Sequence, residues 1–292
     1  MSTAARRTLT TGDGRALTWV EYGDPDGAVV VSHHGGLLSA TDVAPLHEAA
    51  RAAGVRLVSY DRPGIAGSTS LPERRTADAA ADSAALLDHL GVEDAVALGW
   101  SMGGQYALGT AAGLGQRIRA VAVVAGCLPL DDAGTLAELN AMDRRFTTLA
   151  THHRSALADV AELGGGLARF SPTAWAKVAS EGEVDVDVDA VRAHADELAA
   201  SAHDMAEQRD GVVEEYLAWA RPWGFGLGDV SCPVHVWQGG DDHLVPPSWA
   251  VRLADGLPRA TVRVLEGEGH FLLLNHGEQV LRELAAAMAE NA

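Results

Sequence analysis

The sequence predicts an α/β fold: a mostly parallel central sheet flanked by helices, with a helical insertion between two core strands. Three observations carry that prediction. Short β-branched apolar runs alternate with longer Ala/Leu-rich stretches, the rhythm of strands joined by covering helices. The rhythm stops over residues 129–226, where Ala, Leu, His and acidic residues dominate. It resumes at Cys232-Pro233, so the insertion interrupts one core and is not a tail domain. The expected division is a core of residues 1–128 and 227–292 and an insertion of residues 129–226.

Along the chain, the first expected strands are 17–21 (Leu-Thr-Trp-Val-Glu), 28–32, which contains Val29-Val30-Val31, and 56–60 (Arg-Leu-Val-Ser-Tyr). A helix over 78–90 follows, with apolar residues at helical spacing. Strand 95–99, a helix over 102–112 and strand 120–124 complete the first half of the core. In the insertion, Trp175, Trp219 and Trp223 stand among helical patterns, and the acidic stretch 181–189 reads as a solvated linker or exposed loop. The second half of the core supplies strand 234–238, helix 247–255, strand 261–265 and a closing helix over 278–289.

A chain of 292 residues is long for one domain but ordinary for an α/β unit carrying an insertion. Acidic residues outnumber basic ones 40 to 22, and the formal charge of −18 repels nucleic-acid phosphates and anionic lipid. Nucleic acid and membrane are therefore excluded as expected partners. A small-molecule substrate remains, with a homodimer open. Cys127 and Cys232 are far apart and read as small core residues, and no CxxC or Cys/His cluster suggests a metal site. No cofactor is expected. Arg6 and Arg7 are followed by no apolar run, and no stretch of about 18 apolar residues occurs, the reading expected of a soluble cytoplasmic protein.

The strongest chemical signal is Gly99-Trp100-Ser101-Met102-Gly103, a G-x-S-x-G sequence between a strand and a helix. A nucleophile on such a sharp turn needs small neighbours, which Gly99, Gly103 and Gly104 provide. The helix that follows aims its unpaired N–H groups and positive end at Ser101, where an oxyanion would form. A serine hydroxyl needs a histidine base, and that base needs a carboxylate to fix its tautomer. Of 12 histidines, His270 stands just past strand 261–265, at the rim where α/β sheets build their sites; His276 is a weaker rival. The acid lies in Gly239-Gly240-Asp241-Asp242 after strand 234–238, where either aspartate could serve; Asp131 or Asp132 is a minor alternative. The chain order serine, acid, histidine is the one this architecture uses. His33-His34-Gly35-Gly36 follows strand 28–32 and offers the amide of Gly36 as an oxyanion donor beside that of Met102.

Together these residues resemble the α/β-hydrolase superfamily over nearly the whole chain apart from the insertion. His34-Gly35-Gly36 is similar to its HGx oxyanion loop, and Tyr60-Asp61-Arg62-Pro63-Gly64 with Gly67-Ser68 to its D-x-x-G-x-G-x-S loop. Gly239 to Pro246 resembles the G-x-x-D-x-x-V-P acid motif, whose register selects Asp242, and Gly269-His270 resembles the G-H base motif. Trp100 departs from the histidine that many members carry before the nucleophile. The resemblance implies that the insertion is a cap roofing the pocket. Trp100, Leu37, Trp175 and Trp223 are expected to touch substrate, with Trp219, Phe146 and Phe170 as further aromatics of the cap. It implies a serine hydrolase acting on a carboxylic ester of a small, largely apolar molecule. A carbon–carbon hydrolase, a lactonase, a prolyl aminopeptidase using acids such as Glu214 and Glu215, and a non-catalytic binding relative are the alternatives.

Overall fold

The computed structural model describes residues 5–130 and 133–290; Asp131 and Asp132 lie outside the described residues. Its strands are β1 (Arg7–Thr10), β2 (Ala16–Gly23), β3 (Ala28–His33), β4 (Val55–Tyr60), β5 (Ala95–Trp100), β6 (Ile118–Val124), β7 (Val234–Gly239) and β8 (Ala260–Leu265). They form one sheet in the order β1-β2-β4-β3-β5-β6-β7-β8, with β1–β2 and β2–β4 antiparallel and the other pairs parallel. The core helices before the insertion are α1 (His47–Ala52), α2 (Ala79–His89) and α3 (Gly103–Leu114). The insertion contributes α4 (Ala133–Glu138), α5 (Ala141–His152), α6 (Arg154–Phe170), α7 (Pro172–Ala179), α8 (Asp185–Ala193), α9 (Ala195–Ala206) and α10 (Gly211–Ala220). The core resumes through β7 and β8 with α11 (Ser248–Asp255) and α12 (Leu272–Glu290).

The central strands are apolar without a polar face because helices cover both sides of the sheet. Every residue of β5 is buried. Side chains alternate: Ala95 and Ala97 join the core with Leu86 and Leu108, whereas Val96, Leu98 and Trp100 join the core with Leu272 and Leu281. At the sheet's end β8 is largely exposed, in keeping with Thr261 and Arg263 in its sequence.

Three expectations are corrected. Strand β1 was not anticipated, because only Leu9 of its four residues points inward and no alternation shows. The closing helix begins at Leu272 rather than 278. Gly277 lies inside α12 where the helix presses against Leu46; a Cβ there would meet Leu46 Cδ2 at 2.5 Å. The acidic stretch 181–189 is not a free loop: from Asp185 it is helix α8, and Asp187, Ala190 and Val191 are its buried face.

The strand order reverses around β3, which lies between β4 and β5. Ligand sites of open α/β sheets form at the carboxyl ends of strands beside such a switch. The loops after β3, β5, β7 and β8 are those that carry the candidate residues.

Candidate active site

Ser101 follows the last residue of β5 and has φ 55°, a left-handed conformation that costs a non-glycine residue about 1–3 kcal/mol. The fold holds it there. Its amide donates to Val124 O at 2.8 Å, continuing the β5–β6 ladder one residue past the strand, and Ser101 O accepts from Gly104 N at 2.9 Å. The turn is tight enough that a Cβ on Gly103 would lie 2.0 Å from His33 O. That approach brings the start of α3 against the loop after β3, since His33 pairs with Gly99 across the parallel ladder.

The loop after β3 is pinned on both sides. Gly35 N donates to buried Asp42 Oδ2 at 2.8 Å, and burial pushes that carboxyl up to about 7. Arg62 donates from Nη1 to His34 O at 2.6 Å and from Nη2 to Gly35 O at 3.1 Å. With its neighbours fixed, Gly36 lies beside Met102; a Cβ on Gly36 would be 3.6 Å from Met102 Cβ. The amides of Gly36 and Met102 have no hydrogen-bond partner among the described residues, so two donors stand free near Ser101.

The loops after β7 and β8 bring Asp242 to His270. Asp242 Oδ2 is 3.0 Å from His270 Nδ1 and accepts from Gln238 Nε2 at 2.8 Å. Its Oδ1 accepts from Leu244 N and Val245 N, both at 2.8 Å, so both oxygens of the carboxylate are engaged. Asp241 accepts instead from Gly267 N at 3.1 Å and serves the turn. His276 is held by Glu268 at 2.9 Å. With Nδ1 facing Asp242, His270 carries its proton there and keeps Nε2 as the basic nitrogen. Burial opposes protonation of the imidazole, but Asp242, with Asp187 and Glu183 beyond it, outweighs burial and raises the His270 pKa above its ordinary 6.5. Trp100 Nε1 donates to His270 O at 3.1 Å, a contact that gives the departure from histidine at this position a use.

Ser101, His270, Gly36 and Met102 line one cavity of about 520 Å³ between the strand ends and the insertion. The Ser101 hydroxyl has no hydrogen-bond partner among the described residues, so it is free to face a ligand. Leu37, Trp100 and Trp175 line the cavity, as do Phe146 and Trp219. Trp223 does not: it is buried elsewhere, stacked on Phe225 with centroids 5.7 Å apart. Phe170 is 84% exposed at the end of α6 and is neither cap core nor pocket. Glu214 and Glu215 are also absent from the wall. Glu215 binds Arg62 and Arg74; burial alone would raise its carboxyl, but the two guanidiniums hold it well below the usual range. Cys127 lines the cavity, yet burial pushes its thiol well above the ordinary value and keeps it protonated.

Sequence reasoning missed Asp143 and Glu183, which line the cavity from the insertion, and Asp187 behind His270. Asp143 accepts from Tyr216 Oη at 2.6 Å and Asn140 Nδ2 at 2.7 Å, and burial raises its carboxyl. The spacing of Asp187, Ala190 and Val191 at i, i+3 and i+4 was the one available signal for a buried helical face.

A model of the α/β hydrolase fold matches residues 28–277. A non-heme chloroperoxidase of Streptomyces lividans is 28% identical, covering 96% of this chain and 98% of its own. A bifunctional esterase/perhydrolase of Acinetobacter calcoaceticus is 36% identical over 97 residues, 33% of this chain and 35% of its own. An esterase structure from Exiguobacterium antarcticum superposes with a TM-score of 0.71 at 16% identity, covering 97% of this chain and 98% of that one.

Proposed function

Because the chain belongs to the α/β-hydrolase family, we propose that it hydrolyses a carboxylic ester of a small, largely apolar molecule through an acyl-enzyme on Ser101. The observation that carries this reading is the convergence on one cavity of a left-handed Ser101, two unpaired amides and a His270 already paired with Asp242. Ser101 Oγ attacks the ester carbonyl carbon while its proton passes to His270 Nε2. The resulting oxyanion takes hydrogen bonds from the Gly36 and Met102 amides. Collapse breaks the carbon–oxygen bond, and His270 returns the proton to the departing alcohol. Water then attacks the acyl group, giving its proton to the same base, and Ser101 is restored.

The cavity wall favours a neutral substrate. Among the described residues no lysine or arginine lines it, whereas Asp143, Glu181 and Glu183 do, so a substrate carboxylate would meet repulsion. Apolar side chains such as Met142, Phe146, Leu167 and Trp175 supply contact area for an acyl or alcohol portion.

A fluorophosphonate probe and a panel of p-nitrophenyl esters test the reading. Labelling of Ser101 and ester turnover abolished by Ser101→Ala are the expected results. Folded protein that takes no label on Ser101 overturns every serine-hydrolase version; labelling without ester turnover directs the search to lactones and dienones.

A further inference from the structure

The catalytic histidine is gripped from a direction that the three-residue description omits. Asp187, on helix α8 of the insertion, is fully buried, and its Oδ1 accepts from Phe271 N at 3.1 Å, the amide next to His270. Its Oδ2 is buried with no hydrogen-bond partner. That oxygen lies against Gly269, where a Cβ would be only 2.1 Å away, so the residue before His270 must lack a side chain to admit it.

A neutral acceptor would satisfy the Phe271 amide. An aspartate adds a second oxygen with no hydrogen bond of its own, while the His270 and Phe271 amides both face the carboxylate, and burying that charge is costly. What the carboxylate adds is charge beside an imidazole that must become imidazolium when Ser101 is deprotonated. We propose that Asp187 is a positioning residue for the reaction: from the insertion it fixes the His270–Phe271 backbone and stabilises the imidazolium, as a second carboxylate behind Asp242. This rests on the serine-hydrolase reading for its catalytic consequence, though not for the contact itself.

The charged groups facing His270 come from several elements: Asp242 after β7, Asp187 on α8, Glu183 in the turn before α8, and Asp143 on α5. Asp242 bonds the ring, and Asp143 is engaged by Tyr216 and Asn140. Glu183 is only half-buried. Asp187 alone of these couples a buried carboxylate to the backbone carrying the ring. Burial raises the Asp187 carboxyl, and the Phe271 amide, the His270 ring and the His270 amide oppose that rise.

Asp187→Asn preserves an acceptor for Phe271 N–H and removes the charge. The expected result is a kcat for p-nitrophenyl acetate about tenfold lower, KM within about twofold, and an acid limb of kcat/KM moved to lower pH, because His270 loses an anion that favoured its protonation. Glu183→Gln should move the limb less. An Asp187→Asn protein with wild-type kcat and an unmoved limb overturns the proposal, since a structural contact alone would change melting temperature and not the limb. If that variant does not fold, Asp187→Ser is held to the same criteria. NMR titration of His270 in the unaltered protein and in the Asp187 variant supplies a reading independent of turnover: a His270 pKa that does not fall in the variant overturns the proposal. Failure of the hydrolase reading shows separately, as absence of fluorophosphonate label on Ser101.

Discussion

Asp241 and Asp242 are adjacent residues with the same chemistry and different partners, and that difference is measurable. Asp242→Asn should lower kcat by about 10⁴-fold, the scale for a histidine left in the wrong tautomer. Asp241→Asn, which disturbs only the bond from Gly267 N, should stay within about tenfold of wild type. Ester turnover by the two purified variants checks this, and the reverse ranking contradicts the assignment. The raised pKa of His270 fixes the sign of the pH response. Its base form predominates only above that pKa, so kcat/KM should climb through an acid limb centred above 6.5 and flatten beyond it. A limb below 6.5 contradicts the electrostatics. Ser101 stood out as a candidate because strand, turn glycines and helix all point at it in one short stretch. The partner of His270 did not, since Gly-Gly-Asp-Asp is turn chemistry for either residue and only family register separated them. Asp187 was hidden by company: it stands among Glu181, Glu183, Asp185 and Asp189, where a run of charge reads as a solvated face.

Single elements show where periodicity carries information and where contacts override it. Strands β3, β5 and β6 were readable because burial on both faces leaves continuous β-branched or small apolar runs. The first turns of α12 were not, because His270, Asn275, His276 and Gly277 mask an apolar stripe that includes Leu272 and Leu273, both buried. Helix α10 falls within the helical insertion, and its Glu215, named among the acids a prolyl aminopeptidase would use, is instead the anion between two buried cations from the core. Glu215→Ala should therefore destabilise the fold by about 3–5 kcal/mol, because it leaves Arg62 and Arg74 without their counter-charge. Urea denaturation followed by circular dichroism measures the loss. A change under about 1 kcal/mol would mean that the guanidiniums find other partners.

At the scale of the molecule, the insertion supplies walls that the core lacks, and its shape sets what fits. Gly164 on α6 lines the cavity, and a Cβ there would meet nothing within 4 Å. Gly164→Leu should thus occupy substrate space without disturbing packing, raising KM for long-chain p-nitrophenyl esters at least about tenfold more than for acetate. Equal effects on both would place the acyl chain elsewhere. The fold class was legible from rhythm alone, whereas the pocket was not, because its walls come from residues more than 100 positions apart, such as Leu37 and Trp175. The ties from Glu215 to Arg62 and from Asp187 to Phe271 both run between insertion and core, one behind the loop after β3 and the other behind His270. Chemistry is consequently a reporter of assembly. A sub-global opening that releases the insertion while the sheet persists would leave a protein that is folded by spectroscopy and silent by turnover, so the urea midpoint for activity should precede that for circular dichroism.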